Sequence, residues 1–237
     1  MNPDIEKMIQ LQTVWDGIVR AEKEIEDANR NISENKKKLS DAEASYNTKS
    51  GNIKKQKSDL KSKEIKFDEQ SLKLEELKNK RLSAANEKQL KAFDNEISLL
   101  EEETGSLEDF IIKQMDEIEA SEKRMGEMEV SLEAIKNESI ENHKILEERI
   151  ERFSESKNIK ENDFKNGLAE LTPQAKARFQ KLVTSANKKG IVELKNSICL
   201  GCNTKVPDND VSKIKENKDM VNCQNCGKFL YHNTGNK

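Results

Sequence analysis

The chain has 237 residues, of which 37% are charged and only 4% aromatic, with 9 Gly and 3 Pro. So much charge with so little apolar bulk excludes one large packed α/β domain and matches the Glu/Lys/Leu/Ala usage of long solvated helices. The net charge of −3 hides a division: residues 1–171 carry 30 Lys+Arg against 40 Asp+Glu, whereas residues 172–237 carry 12 against 5. The two parts must face different partners or surfaces.

The opening stretch, Met1 to Gln12, mixes acids and bases with its apolar residues and lacks the apolar core of a signal peptide. No run approaches the roughly 20 apolar residues of a membrane span. The expectation is a cytoplasmic protein with no membrane insertion.

In the first long segment an apolar or aromatic residue stands at every seventh position, from Leu11 through Ile18, Ile25 and Ile32 to Phe67 and Leu74. The companion position is mixed, with Ala21, Ala28 and Leu77 interrupted by Lys49, Gln56, Lys63 and Gln70. One firm seam position and one polar, adaptable position describe a coiled-coil strand. A second segment repeats the signal from Leu90 and Ile97 to Leu146 and Phe153, missing at Thr104 and Ser139. Met115, Met125 and Met128 are read as seam fillers. The two phases differ by two residues, so the helix breaks between Leu77 and Leu90. Asn86 and Gln89 fit a helix N-cap with its capping partner. The expected fold is mainly α: a long antiparallel coiled-coil hairpin over 1–171, turning near 81–87, with each arm on the order of 110 Å.

Beyond Phe153 the repeat dissolves. Thr172-Pro173 predicts an N-cap and first turn of a short helix carrying Phe179, Leu182 and Val183, with Gly190 as its stop. Ile191, Val192 and Leu194 then read as a strand. A second domain, 172–237, holds this helix and a small β zinc ribbon.

The ribbon is carried by Cys199-x2-Cys202 and Cys223-x2-Cys226, 20 residues apart. Two intervening residues let a tight turn place both sulfurs on one metal, and two such knuckles complete a tetrahedron. Gly201 and Gly227 sit where those turns need small or left-handed residues. One structural Zn2+ held by Cys199, Cys202, Cys223 and Cys226 is the reading; ligand type alone would also allow a rubredoxin-like iron site. Four thiolates leave no open position for metal-assisted catalysis. His143 belongs to the coiled coil and His232 to the surface. The chain has no phosphate loop, nucleophile elbow or acid–base pair, so no enzyme is expected.

Cys199-Leu-Gly-Cys202 and Cys223-Gln-Asn-Cys-Gly-Lys-Phe-Leu-Tyr231, with Asn86 to Ile97 after the turn and Leu107-Glu-Asp-Phe in the second helix, resemble a bacterial family. Its members are coiled-coil hairpins ending in a C4-type zinc ribbon, the FlgZ/CdsZ-like regulators. The family commonly has Pro where Gln224 stands and Arg where Lys228 stands. The resemblance implies a non-enzymatic regulator or chaperone that binds an RpoN-type sigma factor and serves flagellar or type III secretion systems. It implies RNA binding as an alternative. From the residues themselves, Lys188, Lys189, Lys195, Lys205, Lys213, Lys215 and Lys228 are the candidate binding surface for a protein partner or for phosphates.

Overall fold

Two helices account for most of the chain: α1, Pro3–Leu82, and α2, Glu87–Ala169. The computed structural model describes residues 1–185 and 188–233; the last four positions of the domain read as 172–237 lie outside the described residues. Lys80 and Arg81 close α1 and Glu87 opens α2, each placed to favour its helix dipole. The Asn86 side chain accepts the Gln89 N–H at 2.9 Å, and the Gln89 side chain accepts the Ala85 N–H at 3.1 Å. Together these bonds satisfy two backbone donors at the start of α2.

The chain divides into two compact units, Glu34–Glu141 and Met1–Ser33 with Asn142–Lys237. The first is purely helical. Its core is thin: Leu77, Ile97, Leu100, Ile118 and Leu132 are its buried apolar residues among those described. Lys57–Glu122 at 2.6 Å, Lys78–Glu101 at 2.7 Å and Lys136–Glu43 at 3.7 Å tie its two helices along one flank. Exposed pairs of this kind contribute only about 0–1 kcal/mol each, so they set register more than stability. Met125 and Met128 are half-buried beside the seam. Met115 is not a seam filler: it is 52% exposed, because it falls four residues after seam residue Ile111 and turns outward.

The second unit holds the larger core. Ile5, Met8, Leu11 and Ile18 of α1 pack with Phe164 and Leu168 of α2 and with Ala175, Phe179 and Val183 of a short helix α3, Pro173–Val183. Trp15 stacks on Phe164 with centroids 4.8 Å apart. Thr172 precedes α3 but does not cap it with its own side chain. Instead the Asp4 carboxylate, reaching over from α1, accepts the Thr172 N–H at 3.2 Å and the Thr172 hydroxyl at 2.6 Å. Nor does Gly190 terminate α3, which ends at Val183. Its role is close approach: a Cβ there would stand 2.5 Å from the Phe179 ring.

A four-stranded sheet completes this unit, with β1 at Ile191–Lys195, β2 at Ile198–Cys199, β3 at Val221–Asn222 and β4 at Phe229–Tyr231. The strand order is β2-β1-β4-β3, with β1 and β4 parallel and the outer pairs antiparallel. A helix α4, Asp208–Glu216, lies between β2 and β3 in sequence. The sheet has two apolar sides. Ile191 and Phe229 enter the helical core, while Val192, Leu194 and Leu230 pack with Val206, Val211 and Ile214 around the cysteines. Period-2 alternation thus splits one strand between two cores.

Two polar clasps tie the start of the chain to the ribbon, and a third closes the ribbon on itself. The buried Gln12 accepts the Gly190 N–H at 2.7 Å and donates to the Lys188 carbonyl at 3.2 Å and to Asp16 at 2.8 Å. The Asn2 N–H donates to the Asn217 carbonyl at 2.7 Å, and its amide to the Lys218 carbonyl at 3.0 Å. Asn217, left-handed at φ 50, pairs its side chain with the His232 backbone in both directions, at 2.8 and 3.0 Å.

Candidate metal centre

Cys199 ends β2 and Cys223 follows β3, so the sheet carries one member of each cysteine pair. The second members sit on the turns. In the first knuckle the Cys202 and Asn203 N–H groups donate to the Cys199 carbonyl at 3.3 and 2.8 Å, with Asn203 left-handed at φ 57. In the second, the Gly227 N–H donates to the Cys223 carbonyl at 2.8 Å, with Gly227 at φ +73. The two expected glycines therefore act differently. Gly227 supplies the left-handed backbone, whereas Gly201 supplies space: a Cβ there would meet Lys228 Cδ at 2.8 Å and Val192 Cγ2 at 3.2 Å.

The four sulfurs lie within 4.8 Å of one another. Cys199 and Cys226 Sγ are 3.8 Å apart, and Cys202 and Cys223 Sγ are 3.6 Å apart. A Zn–S bond of about 2.3 Å gives a tetrahedral edge of about 3.8 Å, so the set fits one zinc. The separations exclude disulfides, which need about 2.05 Å, and all four cysteines are free. The Gly201 N–H points at the Cys199 sulfur from 3.4 Å, as a donor to a thiolate should.

The thiols are unequal. Burial pushes Cys199 up to about 12, partly offset by the Gly201 N–H. The Thr204 hydroxyl beside Cys202 brings its thiol down to about 6 against some desolvation. Asn225 in turn donates to the Thr204 hydroxyl at 2.9 Å, joining the two knuckles. Burial raises Cys226 as well. A zinc ion overrides these differences by taking all four as thiolates, its +2 set against −4. His232 contributes its backbone to Asn217 and lies outside the cluster of potential ligands.

The seven lysines of the candidate surface separate into three groups. Lys188 and Lys189 turn back to α1, with Nζ 3.5 Å from Glu22 and 2.5 Å from Asp16. Lys228 is 3% exposed and donates to the Gly201 carbonyl at 3.2 Å, bridging the knuckles from inside. It is an internal brace rather than a surface cation. Lys195, Lys205, Lys213 and Lys215 are exposed and have no ion pair among the described residues. Lys213 and Lys215 occupy the last turn of α4. Lys195 lies opposite Ile198 in the β1–β2 pair, and Ile198 opposite Lys205 in an isolated bridge. Side chains directly opposite share a face. Ile198 is 38% exposed, and Leu200, at the first knuckle, is 49% exposed. This lysine–isoleucine–lysine row was not read as a unit in the sequence, because only the bridge to Lys205 assembles it.

Residues 198–230 match the C4-type zinc ribbon domain. No curated protein matches the chain in sequence. Among solved structures, the chain resembles the CT398 protein of Chlamydia trachomatis, with TM-score 0.85 at 17% identity over 97% of both chains. It also resembles a Mycobacterium smegmatis protein, with TM-score 0.72 at 14% identity over 96% of this chain and 97% of that one. The HP0958 protein of Helicobacter pylori follows at TM-score 0.64 and 15% identity, over 99% of both chains. At such identities the likeness shows the fold alone: long helices with a small C-terminal strand region that carries a four-cysteine zinc ribbon.

Proposed function

We propose that this chain is a non-enzymatic adaptor whose zinc ribbon is a protein-binding head, with zinc stabilising the head rather than acting on a substrate. The observation that carries the reading is the exposed row of Lys195, Ile198 and Lys205, with Leu200 beside it, on a domain whose four sulfurs leave its zinc no open coordination position. An apolar anchor flanked by unpaired cations suits an acidic segment carrying one or two large apolar side chains. By resemblance, the partner class is an RpoN-type sigma factor or a component of a flagellar or type III secretion system.

Nucleic acid is the lesser reading. Of the seven lysines, four have no ion pair among the described residues, and Phe229 is 4% exposed within the core, so it offers no platform for base stacking. The test is titration of the zinc-loaded chain with a purified RpoN-type sigma factor and, separately, with single-stranded RNA. Binding to the protein that Ile198→Asp and Lys205→Glu each weaken is the expected result. Tight, salt-sensitive RNA binding with no protein binding would overturn the reading.

A further inference from the structure

The helical unit Glu34–Glu141 has two unlike flanks. One is closed by the ion pairs Lys57–Glu122, Lys78–Glu101 and Lys136–Glu43. The other opens into two grooves. The first, about 590 Å³, has Ile53, Met125 and Met128 at its floor and Lys49 and Arg124 at its edge; the second, about 430 Å³, lies beside Gln70, Glu103 and Leu107. Register explains the difference. Each closing pair joins positions four residues after a seam residue on both helices, whereas Lys66, Lys73, Glu96 and Glu103 lie one residue before one. Antiparallel pairing puts these two sets on opposite flanks. The open flank also presents Leu99, 60% exposed, and Phe110, 41% exposed.

Charge on this unit is segregated by helix. Residues 34–82 of α1 hold 14 Lys+Arg against 9 Asp+Glu, a balance of +5; residues 87–141 of α2 hold 6 against 17, a balance of −11. The division is sharp in the rows bordering the open flank. On α1 the row reads Lys38, Lys66, Lys73 and Lys80 with one acid, Asp59; on α2 it reads Glu96, Glu103, Glu117 and Glu138 with one base, Arg124. Within the chain this flank is only partly neutralised, by Lys73–Glu96 at 3.8 Å and Lys80–Glu76 at 3.7 Å, while the neutral Gln70 amide donates to Glu103 at 2.9 Å. Lys66 and Lys49 have no ion pair among the described residues, and Lys63 lies 5.8 Å from the Phe110 ring centroid.

A surface with a basic row beside an acidic row is complementary to itself. We propose that the open flank is a self-association surface, and that its occupant is the same flank of a second copy of this chain. A two-fold axis running along the hairpin would lay each basic row of α1 on the acidic row of the second copy's α2, helix antiparallel to helix. Leu99 and Phe110 would be covered at the centre, and small residues beside the acidic row (Ala92, Ser106, Ala120) would permit close approach. An isologous contact of this kind closes at two copies. The opposite arrangement, α1 on α1, would oppose like charges and is disfavoured. At 1.5 Å per residue the flank runs for about 70 Å. At a width of two helices this exceeds the roughly 800 Å² per partner of a standard interface.

The test is sedimentation velocity of the full, zinc-loaded chain over a range of concentrations and salt. A dimer that loosens as salt rises is expected. Two charge reversals then probe the geometry: K66E with K73E, and E96K with E103K. Each variant alone opposes like charges across the two-fold and should dissociate more than about tenfold more readily. An equimolar mixture of the two should regain the dimer as a heterodimer. L99R, at a side chain too exposed to serve the fold, should dissociate the dimer without changing the helical circular dichroism. A wild-type chain that stays monomeric at all concentrations in low salt would overturn the proposal and leave the flank to a different partner. A dimer that survives both reversals and L99R would overturn it equally.

Discussion

Gln12→Ala removes a buried side chain that joins α1 to the entry of β1. In the native chain its carbonyl accepts the Gly190 N–H at 2.7 Å, and its amide donates to the Lys188 carbonyl and to Asp16. The Gly190 N–H is buried, so losing its acceptor costs about 1–3 kcal/mol. The Lys188 carbonyl lies nearer solvent and adds at most about 1 kcal/mol. A loss of about 2–3 kcal/mol is expected. Trp15, the only tryptophan, stacks on Phe164 within the same core and reports the unfolding of this unit by fluorescence. With a urea slope of about 2 kcal/mol per molar, the midpoint should fall by about 1 M. Gln12→Met fills the space without the acceptor and should lose nearly as much. A Met variant as stable as wild type, or an Ala variant within about 0.5 kcal/mol of it, would refute the hydrogen-bond account and leave packing as the cause.

Gly190→Ala should destabilise the same unit by at least about 1–3 kcal/mol in the same assay, since the new Cβ would stand 2.5 Å from two Phe179 ring carbons and 2.9 Å from Val183. Asp4→Ala should cost about 1–3 kcal/mol by leaving the part-buried Thr172 N–H and hydroxyl without their acceptor. Asp4→Asn, which keeps an acceptor, should cost less, and equal losses would argue against these hydrogen bonds as the cause. Chelation of zinc, or Cys226→Ser, should unfold the ribbon while most helical circular dichroism survives, because Glu34–Glu141 is a compact unit containing none of the ligands. Zinc affinity should fall as pH falls, since protons compete for the four thiolates; competition titrations at pH 8 and pH 6 measure it, and a flat response would contradict thiolate ligation.

The seam was legible because a strict seven-residue repeat leaves few alternatives, and the ligands were legible because two short Cys pairs fix their own geometry. Other features needed contacts that sequence does not advertise. Ile5 and Met8 are 1% and 0% exposed, yet they precede the repeat, because they belong to the core shared with Phe164, Leu168 and α3. The parallel pairing of β1 with β4 joins Ile191 to Phe229, a pairing set by the zinc knuckles and by no local pattern. Lys228 reads as a surface cation until the Gly201 carbonyl is placed against it. Helix α4 could have been found: Asp208 and Asp210 open it, Val211 and Ile214 face inward, and Lys213 and Lys215 close it.

Metal analysis of the purified full chain, combined with X-ray absorption at the zinc edge, tests the central claim most directly. One zinc per chain with four sulfur neighbours at about 2.3 Å is expected, matching sulfurs that lie within 4.8 Å of one another. Mixed nitrogen–sulfur ligation, iron in place of zinc, or a substoichiometric metal with a disulfide across Cys202 and Cys223 would contradict the account of the ribbon as a zinc-closed binding head.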